Sequence, residues 1–540
     1  MHYVPLLCLL SAMSLPLLSG CESLHPQGAS TESNPPPITR AARMDADVRT
    51  DGALRPSDQQ EAETGAGQAD EGYDTVWQRL RDSFQLDLDV NDKRVRDQLA
   101  WYSRNQSYMD RTAERARRYL PYIIREIEKR DMPGELALLP LVESAYDPFA
   151  YSHGRASGIW QFIPATGRAF GMEQNWWYDG RRDIISATNG ALSYLEKLSG
   201  RFDGDYELAL ASYNAGAGRV LRAMRRNERQ GRPTDYWNLH LPAETRHYVP
   251  KLIALARIVA DPKSHGIRLE PIPDDPYFEV VDIGGQLDLA QAAAMAGVGV
   301  NEIYRLNPGF NRWATAPDGP HRLLVPADSA EKFREALTTL PEDQRVSWRN
   351  YTVQSGDTLI SIARSFNTTP DVIRKHNDIN GHTIREGERL LIPAAGNASN
   401  AYALSEPNRR AARQAASGNK GQNRIDYRVN AGDTLWDIAS AHDVGVSKLA
   451  SWNNLAPGDT LRPGDTLAIW TDDPQPRRSE RREMVRRVGY TVRSGDSLRH
   501  IANRFNVGVS QIAQWNNINT QDYLQPGQRL KLYVDIRNAH

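Results

Sequence analysis

The stretch LALLPLVESAYDP, Leu136 to Pro148, decides how the N-terminal half of this chain reads. Leu136 to Val142 offers no ionisable side chain, and then one carboxylate appears, Glu143. Pro133-Gly134-Glu135 opens a helix, and Pro140 is expected to bend it just before the glutamate. If the apolar run packs into a core, Glu143 emerges at the core's boundary. Desolvation there raises a carboxyl pKa, by up to ~3–5 units when burial is complete. A raised pKa keeps the group protonated near neutrality, as a general acid requires. The alternative is a glutamate turned outward on an ordinary amphipathic helix. Asp147 lies one helical turn further on, but Pro148 disfavours helix there, so a shared face with Glu143 is not expected.

Three further segments bear on that choice. Ser157-Gly158-Ile159-Trp160-Gln161-Phe162 reads as a loop carrying an aromatic plate and an amide. Such a pair suits a sugar: the ring packs on C–H faces and the amide bonds to hydroxyls or an acetamido group. Ala211-Ser212-Tyr213-Asn214-Ala215-Gly216 closes a helix with an aromatic beside an amide. Glu244-Thr245-Arg246-His247-Tyr248-Val249 begins another helix and presents Tyr248. Gly216-x-Gly218 is no nucleotide loop, because no strand precedes it and a third glycine is missing. Around these segments, residues 113–129, 133–144, 183–198 and 207–213 carry apolar residues at three- and four-residue spacing. A mostly α domain over 73–265 follows.

The C-terminal half repeats itself. YTVQSGDTLISIARSFNTTPDVIRKHN begins at Tyr351, YRVNAGDTLWDIASAHDVGVSKLASWNN at Tyr427 and YTVRSGDSLRHIANRFNVGVSQIAQWNN at Tyr490. Each copy reads strand, helix, helix, strand, with a Gly-Asp turn before the first helix. This places βααβ modules at 350–394, 426–470 and 489–534, joined by linkers 395–425 and 471–488 like beads on a string. The second linker contains the basic run RRSERREMVRR, read as a solvated spacer. A fainter copy spans 270–330, with Gly285-Gln286 in place of Gly-Asp.

The chain has 540 residues, 66 Lys plus Arg and 67 Asp plus Glu, so several domains are expected and no electrostatic case for nucleic acid arises. Residues 1–20 are apolar but broken by Pro5 and Pro16, and end in Leu18-Ser19-Gly20-Cys21. This resembles a bacterial lipobox, which implies a signal peptide and a lipidated Cys21. Residues 21–72, rich in Pro, Ser, Gly and Ala, read as a flexible tether. Glu22 implies outer-membrane rather than inner-membrane retention, with the protein facing the periplasm. The only other cysteine is Cys8, within the leader. No thiol nucleophile, cysteine-based metal site, HExxH motif or cofactor is expected.

Taken together and in order, Glu143-Ser144, Gly158-Ile159-Trp160-Gln161-Phe162, Tyr213-Asn214-Ala215-Gly216 and the late Tyr248 resemble the lysozyme-like domain of the soluble lytic transglycosylases. The repeats resemble LysM modules, which bind N-acetylglucosamine-containing glycans. The whole is similar to the membrane-bound lytic murein transglycosylases. That resemblance implies a multidomain, mainly α lysozyme-like enzyme followed by LysM modules, acting on peptidoglycan strands. Glu143 would protonate the bond between N-acetylmuramic acid and N-acetylglucosamine and then activate the muramic C6 hydroxyl, closing a 1,6-anhydro ring. Ser144 and Gln161 would hold the acetamido group or its neighbours, Trp160 would bind substrate, and Tyr213, Asn214 and Tyr248 would line the cleft and orient Glu143 or the sugar. In the LysM copies Asp357, Thr358, Asn377, Asp433, Thr434, Asn453, Asp496, Ser497 and Asn516 are the glycan-contact candidates, although capping and turn formation account equally for the Asp and Thr positions. A goose-type-lysozyme-like muramidase and a non-catalytic wall-binding lipoprotein are the competing readings.

Overall fold

The computed structural model describes residues 73–418, 421–472 and 485–535, except 494, 506, 517 and 521–523. The leader, Cys21, the tether and most of the basic linker lie outside the described residues.

Residues 76–260 fold into helices around one core. Two long helices run through it, Ile184–Arg201 and Ala243–Ala260. The second is buried continuously from Leu252 to Ala256, so it is apolar all round, as a central helix must be. Asp183 caps the first by accepting from the Ser186 N–H at 2.8 Å.

Two expected helices are each split, both at a proline. The segment 113–129 becomes Gln106–Ala116 and Leu120–Glu128, with Pro121 in the first turn of the latter. The segment 133–144 becomes a 3-10 turn, Gly134–Leu138, followed by a short α-helix, Leu139–Ser144, with Pro140 in its first turn. A proline supplies no N–H, and the first turn of a helix is where none is needed. Proline therefore starts a helix here instead of bending one. Gly134 donates its N–H to the Ser83 carbonyl at 2.8 Å, and a Cβ there would lie 1.9 Å from Ser83 Oγ.

Four antiparallel strand pairs follow: β1 (Phe278–Asp282) with β2 (Arg322–Pro326), β3 (Ser347–Thr352) with β4 (Arg389–Ala394), β5 (Asn423–Arg428) with β6 (Thr466–Thr471), and β7 (Val485–Thr491) with β8 (Arg529–Asp535). Two helices lie between the strands of every pair. β3, β5 and β7 start three or four residues before the expected copy boundaries, whereas β1 starts eight residues after the expected 270. The β1–β2 module carries an extra helix, Ala327–Thr339, and is continuous with the helical domain. Asp179 donates its N–H to the Gly309 carbonyl at 2.9 Å, Arg118 pairs with Glu302 and Arg322 with Asp183, both at 2.8 Å.

The segment 395–425 is not the free linker expected. It forms a 3-10 turn, Ser399–Tyr402, and a helix, Glu406–Ala416. Tyr402 is buried and its hydroxyl donates to Asp288 at 2.7 Å; Glu406 pairs with Arg312 at 3.0 Å. At the helix's far end the Gln414 amide donates to Asn453 Oδ1 at 2.8 Å. The segment thus bolts the β5–β6 module to the β1–β2 module. Its polarity hid this, because its anchors are two ion-pairing or phenolic side chains rather than an apolar stripe.

Candidate active site

Glu143 stands at the penultimate position of the Leu139–Ser144 helix. The preceding apolar residues Leu136 to Val142 are all buried, so the helix delivers the carboxylate to the edge of the core. Its end is enforced: Ala145 and Tyr146 both adopt left-handed backbone, at φ 50° and 56°. Two such residues in succession are costly unless the surroundings hold them, and here the Tyr146 hydroxyl bonds the Ala137 carbonyl from a fully buried site. With the helix ended, Asp147 turns away and accepts the Phe149 N–H at 3.0 Å.

The Tyr248 hydroxyl donates a hydrogen bond to Glu143 Oε1. Burial pushes the Glu143 pKa up to about 7; the Tyr248 bond and Lys251 oppose that rise, and Glu244 adds to it. Tyr248 is itself buried, and desolvation together with the neighbouring carboxylate drives its phenol well above the usual range. It is therefore a fixed donor. Glu135, in the same stretch, makes an instructive contrast. Its carboxylate is fully buried but accepts the backbone N–H groups of Gln85 and Leu86, at 3.1 and 2.8 Å. It staples a loop, whereas Glu143 faces a phenol and the cleft.

The 157–162 segment is a tight turn closed by the Ser157 N–H on the Phe162 carbonyl at 3.1 Å. Gly158 is required there: its φ is 81°, and a Cβ would sit 2.2 Å from the Arg181 carbonyl oxygen. Trp160 is not the exposed plate expected. It is wholly buried, with its indole N–H on Thr188 Oγ1 at 3.0 Å. The turn sends its apolar side chains Ile159, Trp160 and Phe162 inward and leaves the polar Gln161 at the surface. Its backbone serves the site instead, because the Trp160 carbonyl accepts the Tyr213 hydroxyl at 2.9 Å. Gln161, half-buried at φ 53°, donates to the Gly158 carbonyl at 2.8 Å. Ser144 Oγ donates to the carbonyls of Pro140 and Ile159, at 3.1 and 3.0 Å, tying the glutamate helix to this turn. Tyr213 is core-packed against Phe162.

Asn214 joins two helices: Thr245 Oγ1 donates to its Oδ1 at 2.7 Å, and its amide donates to Glu244 at 3.4 Å. Glu244 and Lys251 are the neighbours that residue-by-residue reading missed. Burial raises the Glu244 pKa; burial lowers that of Lys251, against the pull of Glu244 and Glu143. The signal was present: Glu244, Tyr248 and Lys251 fall at i, i+4 and i+7, one face of one helix.

In the LysM copies the candidate side chains are committed internally. Asp357, Asp433 and Asp496 each accept the hydroxyl of their own copy's first tyrosine, at 2.6, 2.8 and 2.6 Å, and an N–H of the turn. Thr358, Thr434 and Ser497 cap first helices by accepting from Ser361, Asp437 and His500 N–H groups. The asparagines are the most fully engaged. Asn377, Asn453 and Asn516 each donate to two carbonyls, one in the second helix and one in the closing strand, and accept a strand N–H. Asn307 does the same in the 270–330 module, bonding Ile303 and Leu324. These amides are clamps, not free hooks for glycan. Among the described residues of these copies the exposed large apolar side chains are Ile360, Leu391, Trp436 and Tyr533, and Ile360 and Trp436 stand at matching positions of two first helices.

Among the described residues no cluster of His, Cys, Asp and Glu could hold a metal ion, and no helix is long and apolar enough to cross a membrane.

A phenol-bonded glutamate at the core edge of a helical domain, followed by four βααβ modules, fits a lysozyme-like glycan-cleaving enzyme with wall-binding repeats. The Transglycosylase SLT domain family matches residues 121–235, the lytic transglycosylase MltD LysM-like domain matches 277–342, and the LysM domain matches 351–393, 427–470 and 490–532. Membrane-bound lytic murein transglycosylase D of Escherichia coli K12 is 36% identical over 397 residues, 71% of this chain and 84% of that protein. An autolysin of Enterococcus faecalis is 30% identical over 188 residues, 33% of this chain and 24% of that one. Among solved structures, an inactive mutant of lytic transglycosylase Slt from Pseudomonas aeruginosa is 26% identical, covering 28% of this chain and 25% of that one, with a TM-score of 0.20. The chain belongs to the membrane-bound lytic murein transglycosylase D family. It is a peptidoglycan lytic transglycosylase.

Proposed function

We propose that Glu143 is the one acid and base of the reaction. Held near pKa 7, it gives its proton to the glycosidic oxygen between N-acetylmuramic acid and N-acetylglucosamine. The resulting carboxylate takes the proton of the muramic C6 hydroxyl, whose oxygen bonds to C1. The products are an N-acetylglucosamine end and a 1,6-anhydromuramic end, with no water consumed. The observation that carries this reading is the protonatable, phenol-bonded carboxylate at the core's edge. A conventional glycosidase needs a second carboxylate as nucleophile or base. Here Asp147 is engaged with its own loop and Glu244 with Asn214, so the substrate's hydroxyl serves. Tyr248 orients the carboxylate; Ser144, Gln161, Tyr213 and Asn214 hold the turn and helices that frame the cleft.

The test is product analysis by mass spectrometry on purified peptidoglycan, with wild type beside Glu143→Gln. Wild type should release fragments one water lighter than reducing-end products, and the variant none while still binding glycan. Reducing ends from wild type would mark a goose-lysozyme-like hydrolase. Undiminished digestion by Glu143→Gln would remove the assignment.

The LysM modules hold the enzyme on glycan strands, with contacts from Trp436, Ile360 and the backbone beside the Gly-Asp turns. Cys21, after a 1–20 signal peptide, carries the lipid that anchors the protein to the outer membrane facing the periplasm, and 21–72 is the tether. The Leu18-Ser19-Gly20-Cys21 run supports this. Fatty-acid labelling should mark the wild type and not Cys21→Ser; label on both would refute the anchor.

A further inference from the structure

We propose a second, carboxylate-selective peptidoglycan-fragment site, away from Glu143, in the cavity where the 395–425 segment meets the β1–β2 and β3–β4 modules. The cavity holds about 340 Å³, at the lower end of small-molecule sites. Three separate parts of the chain build it: Arg312 from the first module, Arg349 and Phe366 from the second, and Tyr402 and Asn408 from the connecting segment. In the β3–β4 module these residues lie on the first strand and just past the C-terminal end of the first helix, opposite the end capped by Thr358.

Its lining is chemically one-sided. Two guanidinium groups face it and no acidic side chain does. Arg312 is committed: its Nη1 pairs with Glu406 at 3.0 Å, its Nε donates to the Trp176 carbonyl at 3.1 Å, and its guanidinium lies 4.0 Å from the Trp176 ring centre. Arg349 is exposed and its guanidinium has no hydrogen-bond or ion-pair partner among the described residues. The Asn367 side-chain amide, also on the wall, is likewise uncommitted, while its carbonyl is fixed by the Trp313 indole at 3.1 Å. The cavity therefore offers one unopposed cation, one free amide and aromatic rings. That combination fits a small molecule with a carboxylate, a hydrogen-bonding amide and apolar C–H faces. Within the substrate class already assigned, N-acetylmuramic acid without its stem peptide has all three: the lactyl carboxylate, the acetamido group and the ring. N-acetylglucosamine lacks the carboxylate. The inference rests on the peptidoglycan reading for its ligand, but not on Glu143 as catalyst.

The experiment uses the full-length protein and a photoreactive N-acetylglucosaminyl–N-acetylmuramic acid disaccharide, which lacks the N-acetylmuramic-to-N-acetylglucosamine bond and is therefore not consumed. A matching chitobiose probe is the uncharged control. Cross-linked peptides are mapped by mass spectrometry. The acidic probe should mark residues 365–367 or 399–408, and Arg349→Ala should cut that labelling about tenfold, with Arg349→Lys restoring part of it. Labelling of the 143–248 cleft should not change. Acidic adducts confined to the cleft would overturn the proposal. Equal labelling by chitobiose, or labelling indifferent to Arg349, would overturn it as well. Failure of the catalytic reading would show elsewhere, as digestion by Glu143→Gln.

Discussion

Glu143 costs the fold something for being kept ready. Its pKa stands at about 7 against an ordinary 4.5, so the folded state holds a proton that the unfolded chain releases. The contribution to stability is full below about pH 4.5 and is lost as pH rises to about 7. The difference is at most about 3 kcal/mol, and less because the side chain keeps some contact with solvent. Glu143→Gln removes the titration and keeps the shape and the acceptor for Tyr248. It should melt with wild type near pH 4 and above it at pH 8, in the transition of the helical domain. Glu207, also raised to about 7 by burial, titrates in both proteins and cancels from the comparison. A pH-independent gap between the two would show that burial is not what raises the group. This residue was readable in advance because the warrant was local: seven apolar neighbours, then one charge. Trp160 was not, because whether a loop indole faces in or out depends on the Thr188 and Tyr213 partners that come from elsewhere in the chain.

At the scale of elements, the apolar spacing located the helices, and prolines misplaced their joints. Pro121 and Pro140 read equally as a kink or as a first turn, and only tertiary packing chooses. The repeated modules were legible as strand–helix–helix–strand because each copy carries its own core; Leu359, Ile362 and Ile373 suffice to show it in the first. Their asparagines were ambiguous, since an amide after a helix serves a ligand or the backbone equally well. The structure makes each one a three-bond clamp between second helix and closing strand. Asn453 is the most committed: it is fully buried and also receives Gln414. Asn453→Ala should therefore cost the β5–β6 module roughly 2–3 kcal/mol, since three backbone groups lose their partner out of reach of water. Asn377→Ala should cost less, because Asn377 is half-exposed and water can replace it. Hydrogen exchange at Ala468 and Leu391 would compare them; equal protection in both variants would mean the clamp is not what holds the strand.

At the scale of the molecule, the wall-binding half is not merely towed behind the enzyme. Asp459, in the loop between the second helix and closing strand of the β5–β6 module, accepts the Tyr151 hydroxyl at 3.0 Å and pairs with Arg155 at 2.8 Å. Both partners sit on the segment that leads into the Gly158 turn, and that turn is tied to the Glu143 helix by Ser144. Arg409 of the connecting helix covers Phe149 on the same segment, 4.3 Å from the ring centre. A glycan strand held by this module would thus be biased towards one position relative to Glu143. Such an ion pair, half-exposed on the arginine side, contributes about 1 kcal/mol, enough to bias a docked arrangement but not to fold either partner. Asp459→Ala should leave the melting of both units unchanged and slow digestion of insoluble peptidoglycan several-fold. Cleavage of short soluble strands, which need no second hold, should stay at the wild-type rate. If soluble and insoluble substrates slowed together, the contact would be shaping the Gly158 turn itself rather than aligning the two halves.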